Sequence, residues 1–189
     1  MRRSILFLCL SLFSAPGYAA AAGLTYPVEP ASTHIRFVVD HFGLFTTKGE
    51  FTTFSGQLFL DPDHPETAHV AVTVQTASVD TFWGDRNDLL RSPDYFDVGR
   101  FPTMAFTSNV VERTGPDTAR VHGVLTLLGR SHDETFDAVL TDRKPDMAGE
   151  VANFRVTGRL LRSDFGMTAG QPMVADAVDI AIDAHIRLK

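Results

Sequence analysis

The feature that narrows the fold most is a period of two. Near the C-terminus Val178, Ile180, Ile182, Ala184, Ile186 and Leu188 alternate with Asp179, Asp183, His185, Arg187 and Lys189. Successive side chains of an extended chain point to opposite faces, so this segment is a strand with one dry and one wet face. The same alternation runs through Ile35-Phe37-Val39, Val70-Val72-Val74, Met104-Phe106-Ser108-Val110, Val121-Gly123-Leu125-Leu127 and Phe154-Val156-Gly158-Leu160. Turn chemistry separates the runs: Asp61 to Pro65, Thr114 to Asp117, Gly129 to Ser131 and Lys144 to Asp146 each join two of them. The spacing predicts about eight strands. Short turns make neighbours antiparallel, and an all-β chain must hide its edges by closing or by stacking two sheets. A barrel is the expectation.

One stretch breaks the alternation. Gly84 to Arg91 reads as a short helix with Asp85 as its N-cap, and Ser92-Pro93-Asp94 then starts a second turn with Ser at the cap and Pro at the first position. Trp83, Leu89, Leu90, Tyr95 and Phe96 give this insertion, around residues 84–97, an apolar underside that could plug one end of a barrel. Arg86, Asp88 and Arg91 are expected to pair with one another.

Residues 1–22 read as a secretory signal peptide: a basic start (Arg2, Arg3), an apolar run from Ser4 to Phe13 and small residues from Tyr18 to Gly23. Cleavage is expected between Ala19 and Gly23. The only cysteine, Cys9, lies inside the apolar run. Residues 23–189 then form a single domain held by core packing without disulfides, of a size that supports a sizeable core. Setting aside Arg2 and Arg3, 15 basic side chains face 23 acidic ones, a formal charge of −8. That balance argues against nucleic acid, whose phosphates need clustered Lys and Arg.

Chemistry-bearing motifs are sparse. The seven histidines show no metal-ligand spacing, and His34, His41, His122 and His185 read as solvated or hydrogen-bonding residues. Asp61 to Val72 departs from a calcium loop where glycine and glutamate are required, at Glu66 and Val72. Nothing resembles a nucleophile elbow or a phosphate cradle, so no catalytic residue, metal or cofactor is expected. What stands out is phenylalanine: of 15, only Phe7 and Phe13 precede residue 23. Composition alone favours an ordinary aromatic core over a ligand cavity.

Several ordered segments change that weighting. Thr33-His34-Ile35-Arg36-Phe37, His41-Phe42-Gly43, Gly49-Glu50-Phe51 and Phe54-Ser55-Gly56 resemble the N-terminal half of the YceI-like family. The middle block of that family is similar to Val74 to Thr81, Arg86 to Asp97 and Phe101 to Phe106, and its remainder to Gly123 to Gly129 and Arg162 to Met167. The match runs from about Tyr26 to Leu188. Asn87 and Tyr95 depart from the aspartate and phenylalanine commoner there. The resemblance implies an all-β fold, an extended antiparallel eight-stranded lipocalin-like β-barrel, in the periplasm. It implies a long-chain isoprenoid or other lipid as partner, with no reaction and no cofactor. Carried over onto this sequence, the cavity lining would be Ile35, Phe37, Phe42, Phe51, Leu89, Phe96, Met104, Phe106, Leu127 and Phe165, with Met167 near the mouth. No stable membrane insertion is expected, and open strand edges would allow a homodimer. The competing readings are a periplasmic stress or interaction protein whose barrel is filled, and, ranked last, an enzyme acting on an isoprenoid or acyl substrate.

Overall fold

The computed structural model describes residues 23–61, 63–147 and 149–188. The expected signal peptide lies outside them. Within them the alternating segments are strands: β1 (Leu24–Val28), β2 (Thr33–His41), β3 (Phe45–Phe51), β4 (Phe54–Leu60), β5 (His69–Gln75), β6 (Val79–Asp80), β7 (Thr103–Arg113), β8 (Thr118–Leu127), β9 (Arg130–Asp146), β10 (Gly149–Leu161) and β11 (Val174–Leu188). One helix, α1 (Gly84–Arg91), sits between β6 and β7. All pairings are antiparallel, in the order β1-β4-β5-β7-β8-β9-β10-β11-β2-β3-β6.

The count of eight strands is corrected to eleven, and the reason is a bend. β3 and β4 run in the same direction, separated only by Thr52 and Thr53. They are one strand that changes partners: Phe45 to Phe51 pair with β2, and Phe54 to Phe59 pair with β5. At the bend the Thr52 N–H donates to the Ser78 carbonyl (3.2 Å) and the Gln75 N–H to the Thr53 carbonyl (3.0 Å). This shared strand brings β2 and β5 together and curls the sheet into a barrel wall. The short β1 and β6 fill in beside its two halves, β1 on β4 and β6 on β3.

Two turn assignments also shift. The β8–β9 reversal is at Leu128-Gly129, both at positive φ (52° and 72°), the backbone a tight two-residue hairpin requires; Arg130 and Ser131 already belong to β9. Lys144-Pro145-Asp146 is not a turn but the end of β9, where Pro145 lies opposite Glu150. Proline is tolerated at such a strand end because few ladder donors remain to be lost.

The pairing fixes which face looks inward, and small residues there have a packing role. A Cβ placed on Gly49, Gly123 or Gly158 would come within 2.4–2.5 Å of the Phe37, Phe106 or Phe136 ring. Each ring occupies the room a neighbour's side chain would take and therefore lies along the wall. Phe106 and Phe136 meet edge to face at 5.1 Å.

The insertion closes one end, as its apolar underside predicts, but its caps differ. Trp83 occupies the N-cap with no side-chain bond, and Asp85 lies in the first turn. Ser92 opens a run of turns and not a helix: its carbonyl accepts the Tyr95 and Asp97 N–H groups, and its buried hydroxyl has no partner among the described residues. A side-chain latch holds α1 instead. Asp80 accepts from the Phe82 N–H (2.8 Å) and the Asn87 amide (2.9 Å), while the Asn87 oxygen accepts the Thr81 N–H and hydroxyl, both at 2.7 Å. The Asn87 amide, with the Phe82 N–H, holds the Asp80 carboxyl below the usual carboxylate range.

Two outcomes are expected. Gly123→Ala forces the Phe106 ring and the Thr107 carbonyl apart and costs about 1–3 kcal/mol in urea unfolding. Asn87→Asp sets a second carboxylate against Asp80, so hydrogen exchange over residues 80–91 rises at neutral pH and falls back as acid protonates one of the two. Wild type behaves oppositely, losing the latch only when pH falls through the lowered Asp80 value.

Candidate functional site

The barrel interior is built from inward rows whose alternation was visible in sequence. Ile35 and Phe37 on β2, Phe51 on β3 and Leu127 on β8 join Phe96, Phe165 and Met167 from the connecting segments in one buried cluster, with Met104 and Phe106 half-buried against it. Phe51 links the wall to the insertion, its ring 5.6 Å from Phe37 and edge to face with Phe96 at 5.7 Å. Two side chains assigned to the lining lie elsewhere. Phe42 is 65% exposed at the β2–β3 hairpin tip beside the exposed Leu44 and Phe45, and Leu89 is 50% exposed on the outer side of α1, while Leu90 faces the core.

A second, smaller cluster lies towards the other end of the strands: Tyr26 on β1, Ala152 on β10, and Ile186 and Leu188 on β11. Nothing in the local pattern of β1 marked Tyr26 for this place. Between the two clusters the inner wall remains apolar but is not sealed. Val72, Val121, Ala138, Leu140, Val156 and Ile182 share the inward face and are only half-buried. Core side chains packed against one another at interior density would be covered. Between the two clusters the inward face of the curled sheet is therefore accessible hydrocarbon.

The loop that carries Phe165 and Met167 is organised by a residue the sequence reading did not single out. Arg162 is 4% exposed and donates to the carbonyls of Ala169 (2.7 Å), Ala175 (2.9 Å), Val174 (3.0 Å) and Met167 (3.1 Å). The rigid guanidinium fork suits this task, since it presents five donors at once. Next to it Asp176 accepts the Ser163 N–H (2.9 Å) and hydroxyl (2.6 Å) and the Gln171 amide (3.0 Å). Together these bonds turn Phe165 and Met167 into the barrel. Where this loop, the insertion and the β8–β9 hairpin meet, a concavity of about 500 Å³ opens to solvent, bordered by Tyr95, Phe101, Leu128, Arg130, Phe165 and Gly166.

The remaining polar groups behave as hydrogen-bonding surface. His41 meets the Thr47 hydroxyl (2.7 Å), His122 that of Thr135 (3.0 Å) and His185 the Asn153 amide oxygen (2.6 Å). Arg91 pairs with Asp88 (3.1 Å), but Arg86 lies over the Trp83 ring at 4.7 Å. Among the described residues no three His, Cys, Asp or Glu side chains converge as metal ligands, and no helix is long and apolar enough to cross a membrane.

The family model of the YceI-like domain matches residues 26–186. Protein YceI of Salmonella arizonae is 32% identical over 187 residues, 98% of this chain and 97% of that protein. Among solved structures, Burkholderia cenocepacia BcnA is similar with a TM-score of 0.74 at 25% identity, over 86% of this chain and 99% of that one. The Campylobacter jejuni YCEI protein gives 0.73 at 27% identity, over 79% and 90%. A polyisoprenoid binding domain from Saccharophagus degradans shares the fold at 15% identity, with a TM-score of 0.61 over 87% and 98%. With its barrel wall, its insertion and a matching family model over nearly all of the described residues, this chain belongs to the YceI-like family.

Proposed function

We propose that this protein binds one long apolar lipid, a polyisoprenoid, isoprenoid quinone or precursor, or a similar amphiphile, in the barrel lumen, for carriage, storage or sequestration and without chemistry. The observation that carries this reading is the half-buried hydrocarbon wall of the inward face between the two apolar clusters. With β3 and β4 counted as one bent strand and β1 and β6 set beside it, the ring has eight strands, and an eight-stranded barrel is about wide enough to be filled by its own side chains or to hold one slim ligand. Rings laid along the wall over Gly49, Gly123 and Gly158 favour the second case. The Saccharophagus domain of the same fold is described as polyisoprenoid binding, which agrees with a linear tail. A periplasmic site of action fits the basic and apolar character of residues 1–22.

The magnitudes are adequate. Burial contributes roughly 0.8 kcal/mol per CH₂, so a five-carbon unit supplies on the order of 3–4 kcal/mol gross, against roughly 4–15 kcal/mol for association. A few units in the lumen suffice, and tail length should dominate affinity.

Native mass spectrometry of protein isolated from its own periplasm, with release and identification of bound molecules, tests the reading directly. A stoichiometric long-chain species is expected. Added isoprenoid at a hundred times its dissociation constant should stabilise the protein by about 2.7 kcal/mol, read as a raised melting temperature. An empty protein whose melting no such lipid moves would favour the filled barrel.

A further inference from the structure

The large apolar side chains that the fold leaves exposed are gathered at one end of the barrel. Strand pairing puts the β2–β3 hairpin, the insertion, the β8–β9 hairpin and the β10–β11 loop together at that end, since His41 lies opposite Val174, Gln75 opposite Thr103 and Ala105 opposite Thr126. Phe42, Leu44 and Phe45 project from the first hairpin, Leu44 with 77% of its surface exposed. Phe82 and Trp83 project from the start of the insertion, Phe82 with 73% exposed. Met173 in the β10–β11 loop is exposed as well, and its carbonyl accepts the Phe42 N–H (3.1 Å), which ties that loop to the hairpin tip. Of the other large apolar side chains exposed among the described residues, Leu89 and Leu161 share this end, while Leu24, Val110, Val139 and Met147 lie nearer the far one.

Two independent features mark these tips. Phe42 and Phe82 hold φ at 53° and 60°, a region that disfavours bulky side chains. With Gly43 at 66°, the hairpin tip has the left-handed pair for which asparagine and glycine are preferred, yet phenylalanine stands first. The tips are also free of charge in a chain rich in it. No Asp, Glu, Lys or Arg occurs from His41 to Thr47, from Thr81 to Gly84 or from Phe165 to Ala175. The charges nearest the first two segments are of both signs: Asp40 and Lys48 flank the hairpin tip, and Asp85 and Arg86 follow Gly84, with Arg86 over the Trp83 ring.

We propose that this end docks reversibly on a neutral phospholipid bilayer, with the apolar tips in the boundary between headgroups and acyl chains and the 500 Å³ concavity facing the membrane. Tryptophan and phenylalanine suit that boundary. Uncharged tips enter it without desolvating an ion, and the balanced charges behind them stay among headgroups of both signs. The chain's excess of acidic residues disfavours an anionic surface. The tips stand on separate connections, so a folded partner needs a pocket for each, whereas fluid hydrocarbon needs none. The choice of a bilayer over a second copy of this chain rests on the lipid reading above: an isoprenoid cargo resides in membranes and is exchanged with one, and the concavity opens at this same end.

Trp83 is the only tryptophan and reports on docking directly. With phosphatidylcholine vesicles free of isoprenoid, its emission in the mature protein should shift to the blue and be quenched by lipids brominated near the headgroup. The protein should co-sediment with these vesicles equally at low and high salt. Leu44→Ser combined with Phe45→Ser should melt close to wild type and lower the partition coefficient on the order of tenfold or more. Met147→Ser, in the β9–β10 turn at the far end, should leave partition unchanged. Phe42→Asn should melt no lower than wild type yet partition less. Unshifted emission, binding that needs phosphatidylglycerol and is abolished by salt, partition that the double substitution leaves intact, or an equal loss in Met147→Ser would each overturn the assignment. So would a dimer in sedimentation that the double substitution dissociates, since the second copy would then be the occupant. Because the vesicles hold no isoprenoid, failure to dock by a protein that native mass spectrometry finds loaded removes the docking surface alone. Docking by a protein that never carries lipid supports the surface and removes the reading of the lumen instead.

Discussion

The bend at Thr52-Thr53 is the constraint on which the rest of the structure depends. A sheet of this length with two free edges would present unpaired donors and acceptors along both, an invitation to pair with other chains. Here one strand spends its first half on β2 and its second on β5, so the two flanks of the sheet are held by the same backbone. Closure then dictates a face on which every alternate side chain looks at every other strand's alternate side chains. Apolar periodicity becomes an enclosed interior only because of that ring.

Closure also sets up the ends as separate problems, and the chain solves them differently. One end is stopped by a few residues of β1, β10 and β11 around Tyr26 and Ala152. The other takes the insertion and the β10–β11 loop, both of which lack a ladder and add side-chain bonds to those of their turns. The Asp80-Asn87-Thr81 latch holds α1, and Arg162 gathers four carbonyls of the loop that delivers Phe165 and Met167. A buried arginine satisfied wholly by backbone oxygen positions apolar side chains without placing a charge in the lumen.

By itself the sequence determined the class: period-two alternation in six segments, turn residues between them and one interruption with an apolar underside leave little but a curled antiparallel sheet with a short helix. Its alternation also placed Ile35, Phe37 and Leu127 on the inward face, because inward rows are a property of strand geometry alone, while Phe51 and Phe165 came only from the family resemblance. It could not separate a bent strand from two strands, since the bend at Thr52-Thr53 is defined by a change of partner and not by any turn residue. Nor could it place Phe42 or Leu89, whose exposure depends on where a hairpin tip and a helix face end up. Nothing in the sequence marked Arg162 as buried. Only tertiary structure decided that it lies beneath four carbonyls, because that depends on where the chain must turn back.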